Sequence, residues 1–349
     1  MFKVAIIGAG NIATNAHVPA YAELTDRVKI AAVVDINLDR AKEIAKKLGD
    51  IPAFDSTEEM LKKVDVDYVD ICTWNGGHAP VAMAAAKAGK AILCEKPMSD
   101  SLEHSLAMAE AVKAAKVPFM MAMVTRYSKE AQYVHELQEA GGLGEVYFAK
   151  TAYTRRRGTP VGWFTDKKKS GGGPVIDLGV HCIDRSWFLM GKPTPVTVSA
   201  CANKTFGDFK TKGVDRWCAF DKGDGTFDVE DNASAYVRFA NGAALSAEIS
   251  WAQNGAGESF VNLFGTKAGV SFDPLTIHTE DEAGYLTDNK PDMPNSGFGA
   301  YCFTNEIAHF LDCLETGKQP MSTLEDGVML QRILDGIYRS AKEGKEVTV

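Results

Sequence analysis

The sequence predicts an α/β protein of two domains. The first carries a parallel sheet covered by helices on both faces. The second is an α+β domain built on a large, mainly antiparallel open sheet. Three observations lead there. Apolar runs alternate with alanine-rich amphipathic segments over residues 1–122; the texture changes to closely spaced strand-like runs after residue 122; and no proline-rich linker separates the halves.

The apolar runs of the first half are 3–7, 29–35, 68–72, 91–94 and 118–122, with helical patterns at 37–48, 77–88 and 100–115 between them. Strands that are apolar throughout, each followed by a helix, are those of a parallel sheet buried on both faces. In the second half a helix is expected at 128–140, ending at Gly141-Gly142. Strand-like runs follow near 145–155, 195–204, 214–221, 231–239, 243–251, 258–265 and 268–273. Asn241-Gly242 separates two of them and is a hairpin signal. In Ala235-Tyr236-Val237-Arg238-Phe239 the apolar residues alternate with Tyr236 and Arg238, the pattern of a sheet covered on one side. A helix at 174–190 interrupts the strands. Helices at 302–316 and 322–342 close the chain, the second opening at Ser322-Thr323-Leu324-Glu325, and they are expected to pack back on the first domain. The domains are thus 1–122 and 123–349.

Composition bounds the function. Of 349 residues, 45% are hydrophobic and 24% charged, a globular balance able to bury a core without covalent staples. The net charge of −8 argues against a phosphate-backbone binder, so no nucleic-acid partner is expected. No run of eighteen apolar residues exists and no membrane partner is expected. The first strand begins almost at Met1, without the features of a signal peptide, so the expected location is cytoplasmic. Seven cysteines (72, 94, 182, 201, 218, 302, 313) without a CxxC pair suggest neither disulfides nor a zinc ribbon. His104, His135, His278 and His309 show no metal-ligand spacing, and no metal is expected.

Gly8-Ala9-Gly10-Asn11-Ile12-Ala13 follows the first strand and opens a helix. Gly8 permits a tight turn, Gly10 lets backbone approach a pyrophosphate at the helix N-terminus, and Ala13 keeps that helix close to the sheet. Asp35 ends the second strand, 25 residues after Gly10, where a carboxylate bonds ribose hydroxyls. It would repel a 2′-phosphate, so NAD is expected over NADP. Arg40, five residues on, is read as a solvated helix residue.

Cys94-Glu95-Lys96-Pro97 lies at the carboxyl end of the fifth strand, the edge where open parallel sheets bind ligands. That position puts Lys96 near the nicotinamide, and a cis Lys96–Pro97 bond is expected there. Gly171-Gly172-Gly173-Pro174 reads as a flexible entry to a helix. Asp177 and His181, four residues apart on it, share a face.

Together these segments resemble the glucose–fructose oxidoreductase / inositol dehydrogenase (Gfo/Idh/MocA) family, over nearly the whole chain. The resemblance rests on the glycine turn at 8–13, Thr73-Trp74-Asn75 with His78, Glu95-Lys96-Pro97, Leu143-Gly144-Glu145-Val146, and the stretch from Asp177 to His181. It implies a Rossmann domain followed by the α+β domain. Lys96, Asp177 and His181 are then the catalytic set. Gly8, Gly10, Asn11, Ile12, Asp35, Thr73, Asn75, His78, Glu95 and Lys96 are the cofactor contacts. Trp74 departs from the family pattern, where proline is common. The implied activity is an NAD-dependent dehydrogenase or reductase acting on CH–OH groups of a sugar, glycoside or cyclitol. His181 suits a general base, and Lys96 a donor to developing alkoxide. Which of the two takes the proton is left open. A redox-neutral glycosidase using NAD and a non-catalytic NAD-sensing regulator are the alternatives on the same fold.

Further substrate contacts are expected from Arg126, Tyr153 and Trp163, besides Lys96, Asp177 and His181. Arg155-Arg156-Arg157 could meet an acidic substrate but reads more simply as a solvated run, and Lys167-Lys168-Lys169 as a mobile surface loop. His17 is placed on the first helix, facing either cleft or solvent. The open sheet offers a face for a homo-oligomer, a dimer or tetramer.

Overall fold

The computed structural model describes residues 1–218, 222–294 and 296–349. Its first sheet comprises β1 (Phe2–Ile7), β2 (Val28–Val34), β3 (Ala53–Phe54), β4 (Tyr68–Ile71), β5 (Ala91–Glu95) and β6 (Phe119–Ala122). All pairs are parallel, in the order β3-β2-β1-β4-β5-β6. Val4, Ala5, Ile6, Val69, Ile71, Ile92 and Leu93 are fully buried, as uninterrupted apolar runs require. The order reverses between β1 and β4, and that switch point opens a crevice at the carboxyl ends of the strands.

Helices cover both faces. Leu38–Lys47 starts at Asn37, whose side chain accepts from the Arg40 N–H, and Leu102–Ala115 starts at Ser101, which accepts from the His104 N–H. A helix at Thr57–Lys63 was not anticipated, although Ser56 three residues before Glu59 is a capping pattern. The helix Ala300–Thr316 places Ile307, Phe310 and Leu311 in one core cluster with Val4, Ile6 and Leu93 of the first sheet.

The second sheet has nine strands: β7 (Val146–Thr154), β8 (Pro195–Asn203), β9 (Asn232–Phe239), β10 (Ala244–Ser250), β11 (Glu258–Gly265), β12 (Gly269–Ser271), β13 (Thr276–Glu280), β14 (Leu286–Asn289) and β15 (Val347–Thr348). Their order is β14-β13-β12-β11-β7-β10-β9-β8-β15. Only β7 and β10 pair in parallel; the other neighbours are antiparallel. The β9–β10 hairpin turns at Asn241-Gly242, where Gly242 takes φ +86°. The strand expected at 214–221 does not form over 214–217; Cys218 makes one isolated bridge to Val161, and 219–221 lie outside the described residues. β13 and β14 escaped notice because they are short and mostly polar at the margin of the sheet, β14 forming its edge, without the apolar alternation of a half-buried sheet.

Arg126 is not on the cleft. It is fully buried where the chain crosses between the sheets. Its guanidinium donates to both carboxylate oxygens of Asp184 (3.0 and 2.6 Å), to Asp326 (2.9 Å) and to the Met321 carbonyl (2.7 Å). It also lies 4.5 Å from the centre of the Phe188 ring. The residue expected to bind substrate instead fastens Val180–Leu189 and Leu324–Glu343 to the crossover. Removing one partner of such a cluster strands the others in the interior. Arg126→Ala should therefore cost about 3–5 kcal/mol of stability, read as a lower denaturation midpoint; an unchanged midpoint would contradict this assignment.

Candidate active site

A cleft of about 820 Å³ runs along the carboxyl edge of the first sheet and under the second domain. Gly8, Gly10, Asn11, Ile12, Asp35, Thr73, Asn75, Glu95 and Lys96, all expected cofactor contacts, line it. At Gly8 the backbone takes φ +100°, and a Cβ would stand 2.7 Å from the Cys72 carbonyl, so only glycine fits. Asp35 does two things. Its Oδ2 accepts the Ala9 N–H at 2.8 Å and its Oδ1 the Asn37 N–H at 2.8 Å, so it braces the glycine turn while lining the cleft. Arg40 is nearer than its solvated reading implied, with Nη1 3.8 Å from Asp35 Oδ2. An acidic group ending β2 beside a glycine turn at a helix start fits the adenosine ribose and pyrophosphate of a dinucleotide.

His78 is placed otherwise. It is buried behind the loop, with Nδ1 2.8 Å from the Pro97 carbonyl and Nε2 3.1 Å from the Thr73 carbonyl. Its role here is to brace two loops that themselves reach the cleft. Asn75 donates to the Ser170 carbonyl at 2.7 Å and so ties the first domain to the second.

Beneath the Lys96 end of the cleft sits a buried ionic cluster that sequence reasoning missed. His17 is fully buried, facing neither cleft nor solvent. Its Nδ1 lies 2.7 Å from Asp70 and its Nε2 3.0 Å from Glu95. Burial alone would lower its pKa; the Asp70 carboxylate overrides that and holds the imidazole well above its ordinary value. The other Glu95 oxygen accepts the Lys96 N–H at 3.0 Å. The imidazolium thus fixes the carboxylate that fixes the lysine backbone. The signal was obscured because Ala13–His17 is a π-helical turn, which shifts side chains off a 3.6-residue period.

Lys96 leaves β5 through a cis Lys96–Pro97 bond. Its Nζ reaches across the cleft to Asp177, 3.6 Å from Oδ1 and 3.2 Å from the Asp177 carbonyl. Asp177 Oδ2 accepts the Trp251 indole N–H at 2.9 Å. Asp177 belongs to a π-helical turn, Val175–Gly179, that runs directly into the α-helix Val180–Leu189 carrying His181. The glycines ahead of it are not a flexible entry. A Cβ at Gly172 would stand 1.9 Å from the Tyr338 hydroxyl, and one at Gly173 2.1 Å from the Glu230 carbonyl. Glu230 accepts the N–H groups of Gly173 and Val175, and Tyr338 donates to it at 3.0 Å. Glycine is demanded by close approach, and Glu230 holds the start of the helical segment that carries Asp177 and His181.

His181 is partly buried, and its Nδ1 is sequestered without a hydrogen-bond partner. Burial first, then the charges of Lys96, Arg185 and Arg155, push its pKa well below the ordinary value, so the imidazole is neutral at neutral pH. The arginine run divides. Arg155 donates to the Tyr153 hydroxyl at 3.4 Å, Arg156 is exposed, and Arg157 binds the Gln253 carbonyl at 2.8 Å. Trp163 lines the cleft. Lys167–Ser170 is a short helix capped by Asp166 rather than an open loop.

The match to known proteins follows this geometry. Residues 2–123 match the oxidoreductase family model with an NAD-binding Rossmann fold, and residues 136–349 match that family's C-terminal alpha/beta domain. The chain belongs to the Gfo/Idh/MocA oxidoreductase family. Among its relatives is D-glucoside 3-dehydrogenase of Escherichia coli, 29% identical over 99% of this chain and 97% of that one. The scyllo-inositol 2-dehydrogenase (NAD+) of Bacillus subtilis is 26% identical over 99% and 95%. Levoglucosan dehydrogenase in complex with NADH and levoglucosan superposes with a TM-score of 0.84 at 26% identity, covering 100% of this chain and 99% of that one. For this Gfo/Idh/MocA chain the glycine turn is directly testable. Gly8→Ala should weaken NAD by about 5- to 150-fold, since strain of about 1–3 kcal/mol would fall where the backbone is expected to meet the pyrophosphate; unchanged affinity by calorimetric titration would contradict the reading.

Proposed function

We propose that this chain moves a hydride between NAD and a carbinol carbon of a sugar, glycoside or cyclitol, with Lys96, Asp177 and His181 around the reacting hydroxyl. The observation that carries the reading is the meeting of Lys96 and Asp177 across the cleft, with His181 near enough for the Lys96 charge to help keep it neutral. Bound NAD supplies the hydride acceptor in the oxidative direction. Lys96 Nζ donates to the substrate oxygen and stabilises negative charge as it develops. The His181 imidazole accepts the hydroxyl proton as the carbon loses its hydride. Asp177, aimed by Trp251, keeps Lys96 in place and accepts a neighbouring hydroxyl. Trp163 adds a wall to the cleft, whereas Tyr153, expected as a further substrate contact, packs against the core beside Arg155 and does not line it.

NAD is the preferred form because Asp35 would face a 2′-phosphate with a carboxylate. The chain is read as cytoplasmic, in keeping with its seven free cysteines. A homo-oligomer is read from the second sheet's helix-free face, where Phe148 lies between Tyr236 and Phe264, with centroids 6.5 and 5.7 Å away and all three rings partly exposed. Among the described residues, no helix is long and apolar enough to cross a membrane.

Net NADH formation in a screen of polyols, aldoses and glycosides tests the activity, and its absence across the screen would contradict it. Lys96→Ala and His181→Ala should each lower turnover by about 10²–10⁴-fold while NAD affinity stays nearly intact. Near-normal rates in both would refute the assignment. Because His181 must be neutral to accept a proton and its pKa is depressed, kcat/KM for oxidation should fall only well below pH 6.5. That acid limb should vanish in His181→Ala; a limb unchanged by the substitution would assign it elsewhere. NADP should bind more weakly than NAD, and Asp35→Ser should narrow the gap while weakening both, since the Ala9 N–H loses its acceptor.

A further inference from the structure

One wall of the cleft is aromatic: Phe164 packs against the main core, while Trp163 and Trp217 are not part of it. Trp163 stacks on Phe164 with centroids 3.9 Å apart and planes 23° apart. Phe164 in turn meets Trp217 edge to face, at 5.3 Å and 69°. All three rings line the same cleft as Lys96 and Asp177. Trp217 is 48% exposed, an uncommon state for a residue of that apolar area.

The wall is built rather than incidental. Residues 159–165 are pinned to Arg216, Trp217 and Asp228 through backbone atoms. The Val161 N–H donates to the Trp217 carbonyl at 2.9 Å, and the Asp228 N–H to the Thr165 carbonyl at 3.1 Å. Arg216, next to Trp217, donates to the carbonyls of Thr159 and Pro160 at 3.1 and 2.9 Å. Gly223 comes so close to Gly162 that a Cβ there would stand 3.3 Å from its Cα. These bonds hold a bulky indole at the cleft mouth, where leaving water gains most when another apolar ring covers it.

We propose that Trp163, Phe164 and Trp217 form a subsite for a flat aromatic aglycone, so that the substrate is an aryl glycoside rather than a free sugar or cyclitol. The inference rests on the proposed sugar-oxidising reading of the same cleft. With the sugar ring held at Lys96, Asp177 and His181, its anomeric substituent extends along the cleft to the aromatic wall. Ring faces stacked and perpendicular to one another suit an aromatic guest, which prefers offset-stacked and edge-to-face contacts. A second sugar would bring hydroxyls that need partners on burial. Besides the rings, the second domain lines the cleft with Gly172, Gly223 and Ile176, and its polar members are already engaged, Lys169 and Ser170 by Asp166 and Asp177 by Lys96 and Trp251.

The test compares 4-nitrophenyl glucoside, methyl glucoside and cellobiose, with both anomers of the first two, on the NADH-loaded protein by calorimetry and in NAD reduction. The nitrophenyl compound should bind at least about tenfold tighter than the methyl compound, with cellobiose near the methyl value. Trp217→Ala should reduce that gap to within about threefold and Trp217→Phe should restore most of it, while NAD affinity is unchanged in both. Equal binding of aryl and methyl glucosides by the wild type overturns the subsite, as does tightest binding of cellobiose. If Trp217→Ala weakens NAD and affects both glucosides alike, the rings cover the cofactor and the proposal fails. Absence of NAD reduction with every sugar while the aryl preference in binding persists would sink the oxidoreductase reading of the cleft, not the subsite.

Discussion

The contact between Lys96 and Asp177 is the point on which the rest of the molecule converges. It joins the end of β5 to a helix of the second domain, with Nζ 3.6 Å from the carboxylate and 3.2 Å from the Asp177 carbonyl. Both side chains remain partly solvated, so the pair adds little stability. Its value is orientation. A hydroxyl placed there would find a fixed cation, a fixed carboxylate and, close by, a neutral imidazole. Each side is over-determined. Lys96 is held through its backbone N–H by Glu95, and Glu95 by His17. Asp177 is held by Trp251 and by the Glu230 clamp on the helix start. Losing either support would loosen the contact without touching the reacting atoms.

Two buried ionic clusters underlie this arrangement. The Arg126 cluster fixes how the second domain's helices meet the crossover. The His17 cluster lies under the Lys96 end of the cleft, where Asp70 also accepts the Tyr21 hydroxyl at 3.0 Å. Glu306 comes near the same cluster. Burial and the Glu95 charge push its pKa well above the usual carboxylate range, so it stays a neutral carboxyl. The cluster therefore holds two carboxylates against one imidazolium. Burying such groups is costly unless they pair, and here they pair with the residue that aims the lysine.

Most of the fold was legible because its signals are local. Uninterrupted apolar runs, the Ser322-Thr323-Leu324-Glu325 helix start and the Asn241-Gly242 turn all act within a few residues. The cleft was legible for the same reason, since Gly8, Asp35, Glu95 and Lys96 all sit at strand ends. What escaped depends on partners distant in the chain. Arg126 reads as a cleft residue until Asp184 and Asp326 surround it. Gly172 and Gly173 read as flexible until Tyr338 and Glu230 approach. Trp251 and Trp217 carry no pattern that marks them. His17 escaped for a different reason, a π-turn that no 3.6-residue periodicity describes.

The central claim is that a hydride crosses between a carbinol carbon held at Lys96 and Asp177 and the nicotinamide. Deuterium transfer tests it most directly. The wild-type protein would be incubated with NAD and a panel of ring-deuterated glucose, methyl glucoside, 4-nitrophenyl glucoside and myo-inositol, and the nicotinamide followed by mass spectrometry. The account predicts reduced nicotinamide carrying one deuterium, matched by one deuterium lost from a ring carbon of a panel member. NAD binding without label transfer from any member would contradict it.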